Sequence, residues 1–223
     1  MPLAAGVTFL SPTLPVHVFD AEQEGPTAII EAGIHGDEIA GVHALEELLE
    51  EGIQPRRGRL IITPRMNPAA CRSRQRARPG GADMNRCFPG APDAEEPEKR
   101  MAHRMLNIMR EEAPVLVATL HESQKRFHPE IPVSFGQTVV YGVKPMPPVV
   151  AEVCEAMNQT LQHPYEKWAP HYFPVDTSST EVIVEAVGCV GLCIETWMGF
   201  DERRRIDMQR QVVKLLLQHF HIL

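Results

Sequence analysis

The chain has 223 residues, of which 43% are hydrophobic and 23% charged, and it carries a formal net charge of −7. That length and composition fit one soluble globular core, and the acidic balance excludes the broad basic surface that nucleic-acid binding needs. No apolar run approaches the roughly 20 residues that span a bilayer, and the start "MPLAAGVTFLSPTLPVHVFD" lacks the basic opening of a signal peptide, so a cytoplasmic protein is expected with no membrane partner.

In chain order, "TAIIEAG" (27–33) is a short apolar run suited to a buried strand. "IAGVHALEELLEEG" (39–52) then takes up helical periodicity through Ile39, Val42, Leu45, Leu48 and Leu49 and stops at Gly52. "RLIITP" (59–64) reads as a strand and 65–96 as a long loop, followed by a helix over 97–113 with Pro97 at its start. Strands are expected at 114–120, 137–143 and 190–196, and helices at 147–162, 179–188 and 202–220. Strands interleaved with helices imply a three-layer αβα sandwich around a mixed, largely parallel sheet, in which sites gather at the carboxyl ends of strands.

Polar residues interrupt the chain at just those ends. His35 and Glu38 follow the strand 27–33, His121 and Glu122 follow 114–120, and Glu195 ends 190–196. Two histidines and one glutamate with an open position for water form an established catalytic zinc set, and His35, Glu38 and His121 can supply it. Taken alone, the HxxE tetrapeptide has a blander reading, with Glu38 as a carboxylate at a helix N-terminus. Asp37 reads as helix-start chemistry. His128, close behind His121, is the other histidine able to reach the same cleft. The five cysteines (Cys71, Cys87, Cys154, Cys189 and Cys193) are odd in number, lack CxxC spacing and read as buried thiols. A structural zinc site would close its sphere with a fourth protein ligand, often Cys, and no cysteine adjoins a proposed ligand in the sequence.

Nine arginines fall between Arg56 and Arg86, several of them in the Gly/Pro-rich stretch "NPAACRSRQRARPGGADMNRCFPG" (67–90). They form either a solvated basic face or a set of guanidinium forks for carboxylates and oxyanions. Loops of this length in compact domains are usually functional. Gly36, Gly80 and Gly81 read as loop backbone devices.

The order "HGDE" (35–38), "RPGGADMNRCFPG" (78–90), "LHES" (120–123) and "IETWMG" (194–199) resembles the zinc carboxypeptidase superfamily, closest to the succinylglutamate desuccinylase/aspartoacylase family. The resemblance implies one zinc per chain on His35, Glu38 and His121, with Glu195 as general base and acid. It implies that Arg78 polarises the scissile carbonyl and that Asn85 and Arg86 grip a substrate carboxylate. The expected activity is hydrolysis of an amide bond near a carboxylate in a small N-acyl amino acid or short peptide. A carboxypeptidase or a murein peptide amidase of the same superfamily is the alternative, and a non-catalytic carboxylate-binding relative is the third reading. The family's enzymes carry a further C-terminal β-rich domain, whereas residues 1–223 read as a single catalytic domain without it. Classical carboxypeptidases carry a tyrosine upstream of the glutamate, and "HYFPVDTSSTEV" offers Tyr172 at a plausible distance, without a motif that fixes it.

Overall fold

Alternation of apolar side chains between two faces builds an eight-stranded sheet in the computed structural model, which describes residues 2–131, 133–180 and 186–223. The strands are β1 (Gly6–Ser11), β2 (Leu14–Asp20), β3 (Gln23–Ala32), β4 (Arg57–Thr63), β5 (Leu116–Ser123), β6 (Thr138–Tyr141), β7 (Ala169–Tyr172) and β8 (Val190–Trp197). Their spatial order is β1-β2-β4-β3-β5-β8-β6-β7. The helices are α1 (Ile39–Glu50), α2 (Pro68–Ser73), α3 (Pro97–Glu112), α4 (Pro148–Gln159) and α5 (Glu202–His219).

The four central strands β4, β3, β5 and β8 are parallel. The β1-β2 hairpin joins β4 antiparallel, β6 joins β8 antiparallel, and β7 runs parallel to β6. One face of the sheet presents Ala28, Ile30, Ala118, Leu120 and Ile194 to Leu45 of α1, Val153 of α4 and Leu216 of α5. The other presents Ile29, Ile61 and Val117 to Met105, Leu106 and Met109 of α3. The expected three-layer sandwich is therefore present, parallel at its centre and mixed toward its edges.

Two departures from the sequence reading have a common cause. The hairpin over residues 6–20 and the short strand β7 carry Pro12, Pro15 and Pro170, and proline disrupts a strand pattern because it cannot donate to the ladder. Pro15 lies ahead of the segment that pairs with β4, which begins at His17, and Pro170 lies in an outermost strand, so both are tolerated. Within the expected loop 65–96, Asn67 accepts from the Ala70 N–H at 3.1 Å and Pro68 opens the helix, which nucleates α2. A 3₁₀ turn follows at Met84–Arg86. Half of the helix read over 179–188 falls on 181–185, outside the described residues. No helix among the described residues is long and apolar enough to cross a membrane.

On the α3 face, strand register sets Thr63, Glu31, Thr119 and Cys193 side by side across the four parallel strands. Glu31 is fully buried, and neither of its carboxylate oxygens has a hydrogen-bond partner among the described residues. Burial raises its carboxyl from the ordinary 4.5 to about 8. Between those values the unfolded chain has released this proton and the folded chain has kept it, so the protein loses stability as pH rises through that window. Glu31→Gln abolishes the dependence. Relative to wild type it is expected to gain on the order of 3 kcal/mol between pH 5 and pH 7.5, read by urea denaturation. A stability difference that stays flat across that range rules the account out.

Candidate functional site

The site lies at the carboxyl ends of β3, β5 and β8, where a parallel sheet leaves its crevice. After β3 the chain turns at Gly33, whose φ of +67° suits glycine, and delivers His35 and Glu38 just ahead of α1. Gly36 lets this loop lie against α2: a Cβ there would fall 2.0 Å from the Ala70 carbonyl, and its N–H donates to the Gln75 carbonyl at 2.9 Å. The parallel pairing of β5 with β8 sets His121 directly beside Glu195. These residues line a cavity of about 390 Å³ with Asp37, Arg76, Asn85 and Arg86. Part of its wall is apolar, formed by Phe135, Val140, Phe173 and Val175.

Glu38 stands between the two histidines. Its Oε1 lies 2.8 Å from His35 Nδ1 and its Oε2 lies 2.8 Å from His121 Nδ1. The imidazole rings meet edge to face with centroids 4.9 Å apart. Although Glu38 is the N-cap residue of α1, it makes no side-chain cap bond. The first turn is instead capped by Glu122, which accepts from the Ala40 N–H at 2.9 Å and pairs with Arg205 of α5. Glu38 is thus free of helix duty and aimed at the histidines. The three donors lie within 4.8 Å of one another and all three residues are buried.

This donor set fits a catalytic zinc ion. His35 Nε2 lies 3.1 Å from Asp83 Oδ1, the carboxylate support that metal-bound histidines generally have on their far nitrogen. His121 Nε2 is buried with no partner among the described residues. Burial alone would lower His35, but the Glu38 and Asp83 carboxylates outweigh it and raise the imidazole to about 9. Burial lowers His121. Burial opposes ionisation of Glu38, and the two histidines overcome it and hold the carboxyl well below its usual range.

Glu195 behaves in the opposite way. Burial of its carboxyl, and then the Glu38 charge, push it well above the usual carboxylate range. Its Oε2 has no hydrogen-bond partner among the described residues, and its Oε1 is 3.6 Å from Cys193 Sγ. A carboxylate with raised proton affinity in a cleft beside a metal-type cluster has the character of a general base.

The structure separates the arginines of this stretch. Arg78 does not line the cavity; it turns to α3 and pairs with the buried Glu98. Arg76 takes the place beside the cluster. It reaches Glu38 Oε1 at 3.5 Å and Asp83 Oδ2 at 2.9 Å and stays half-exposed to the cavity. Arginines alternate at 72, 74, 76 and 78, and spacing alone does not choose between them; the family resemblance selects Arg78. Asn85 and Arg86 do line the cavity, with Asn85 Oδ1 accepting from the Ser179 N–H at 3.0 Å. Arg86 meets no carboxylate among the described residues; its guanidinium donates to the Asn85 carbonyl at 2.8 Å.

Tyr172 lies outside the cavity, its ring against Tyr141 and under the Lys144 ammonium. His128 is exposed and also outside it, with its Nδ1 accepting from the Glu130 N–H. Asp37 lines the cavity with its Oδ1 buried and without a partner among the described residues. Sequence reasoning missed Asp83, Arg76 and Cys193. Cys193 had a signal, because residues two apart on a strand share a face and Cys193 stands two before Glu195.

Residues 24–126 match the succinylglutamate desuccinylase/aspartoacylase catalytic domain family. The chain is 46% identical over 81 residues to the N-alpha-acetyl-L-2,4-diaminobutyric acid deacetylase of Halomonas elongata, an alignment covering 34% of this chain and 23% of that protein. Its fold is shared with the tripeptide-bound cell shape determinant Csd4 of Helicobacter pylori at a TM-score of 0.83 and 18% identity, covering 94% of this chain and 56% of that one. It is also shared with the product-bound ectoine utilization protein EutE (DoeB) of Ruegeria pomeroyi at a TM-score of 0.68 and 25% identity, covering 94% and 61%. The chain therefore spans about a quarter of the curated relative and somewhat over half of these solved structures.

Proposed function

We propose that this chain is the catalytic unit of a zinc-dependent hydrolase of the succinylglutamate desuccinylase/aspartoacylase type, cleaving an amide bond near a substrate carboxylate. The observation that carries the reading is the convergence of His35, Glu38 and His121 beside Glu195, in a cavity that Asn85 and Arg86 also line. When bound to His35, Glu38 and His121, zinc supplies Lewis acidity toward the amide carbonyl and activation of water. Glu195 accepts the proton of the attacking water and delivers it to the leaving amine. Arg76 faces the oxyanion that develops on the carbonyl. Asn85 and Arg86 bind the substrate carboxylate and align the scissile bond. Asp83 holds His35 by its far nitrogen and fixes the Arg76 guanidinium, so one side chain positions two others.

The purified protein is expected to carry about one zinc per chain. His35→Ala and His121→Ala are expected to lower metal content and amide hydrolysis together. Elemental analysis that finds zinc unchanged in both variants removes this site. A screen of N-acyl amino acids against short peptides then identifies the substrate.

Carboxylate recognition is tested separately. Arg86→Ala is expected chiefly to raise KM, and amidating the substrate carboxylate is expected to have the same effect. Combining the two adds little, as for direct partners. Equal cleavage of amidated and free-acid substrates by the wild-type enzyme sinks this part of the reading.

A further inference from the structure

One side chain that lines the cavity, Cys193, has no part in that mechanism. A nitrogen of His121, Cys193 Sγ and a carboxylate oxygen of Glu195 lie within 4.8 Å of one another, a second cluster overlapping the first at His121. His121 is only 2% exposed, and its Nε2 is buried without a partner among the described residues, as is Glu195 Oε2. The one contact inside the group is the 3.6 Å approach of Cys193 Sγ to Glu195 Oε1, at the limit for a sulfur hydrogen bond. Cys71, Cys87, Cys154 and Cys189 are buried elsewhere, and Cys193 is the cysteine that lines the cavity.

The two clusters differ in softness. His35, Glu38 and His121 offer nitrogen and oxygen, whereas the second set adds sulfur, and thiolate selects soft ions such as cadmium over harder ones. We propose that His121, Cys193 and Glu195 form a second metal seat for a thiophilic divalent cation. Binding breaks the Cys193 S–H bond, gives the sulfur electron pair to the ion and releases the proton to water, with no change of oxidation state. Because His121 belongs to both seats, the two seats are coupled through one imidazole. Because Glu195 becomes a ligand, an ion in the second seat also takes the base out of reach of water. This last consequence, unlike the seat itself, rests on the hydrolase reading above.

The test is a cadmium titration of the metal-free chain, followed by ultraviolet thiolate-to-cadmium charge-transfer absorption and by dialysis. Wild type is expected to develop the band and saturate it at about one equivalent. Cys193→Ser, with Cys193→Ala as the second variant, is expected to lose the band while keeping a wild-type circular dichroism spectrum. Glu38→Ala and His35→Ala each remove a ligand of the first seat only, and both are expected to keep the band. Three results overturn the proposal: no band in wild type, an undiminished band in both Cys193 variants, or loss of the band in folded Glu38→Ala and His35→Ala. The last would make the thiol an extra ligand of the first seat. Zinc content in the same variants reads the first seat on its own, so failure of the zinc reading leaves a different trace from failure of this one.

Discussion

Glu195→Gln is expected to retain its zinc and its fold while hydrolysis falls by about 10²–10⁴-fold, the range that a positioned base contributes. The substitution is nearly isosteric, so the apolar packing of Leu192 and Ile194 on the opposite face of β8 is undisturbed. What disappears is the proton acceptor. The raised proton affinity of Glu195 comes first from burial and then from Glu38, so the wild-type activity is also expected to fall toward acid pH as the carboxyl takes up its proton. The glutamine variant should show its residual rate without that acid limb. Near-normal turnover at full metal occupancy, measured by single-turnover hydrolysis alongside elemental analysis, takes Glu195 out of the mechanism.

Arg76→Ala and Arg78→Ala are expected to fail in different ways. Arg76 stands beside the two histidines and the glutamate, so its loss is expected to lower kcat by about 10²–10³-fold, the magnitude typical of a group aimed at a developing oxyanion. Asp83 keeps its bond to His35, so zinc is retained. Arg78→Ala leaves the buried Glu98 without its guanidinium, which costs about 2–3 kcal/mol of stability once the part-exposure of the arginine is allowed for. Its kcat is expected to stay close to wild type. Thermal unfolding and steady-state kinetics on the two proteins decide the assignment, and the opposite pattern returns the role to Arg78.

The contrast between these arginines marks the boundary of what the chain alone can reveal. Period and composition are properties of single segments, so the helices α1, α3, α4 and α5 and the buried strands β3, β4, β5, β6 and β8 could be read to within a few residues. His35, Glu38, His121 and Glu195 were legible for a related reason: each interrupts an apolar run at a strand end. Arg76 and Asp83 sit in a loop whose path depends on the Gly36 contact with α2 and on the N-cap at Asn67, and no local pattern encodes either. Glu122 was visible only as a neighbour of His121. Its work as the cap of α1 and the partner of Arg205 crosses more than 80 positions of sequence.

The parallel register of β3, β5 and β8 carries a consequence for how the chain acquires its site. Residues 35, 38, 121 and 195 come together only when two crossover connections have closed and the strands have paired in order. Contacts so distant along the chain form late, after the entropy of closing the intervening segments has been met. The hairpin β1-β2 and the individual helices can organise from local contacts long before any ligand finds its neighbour. On the proposed zinc reading, metal capture is therefore tied to completion of the sheet's centre, and a newly made or refolding chain gains affinity for the ion in one late step rather than residue by residue.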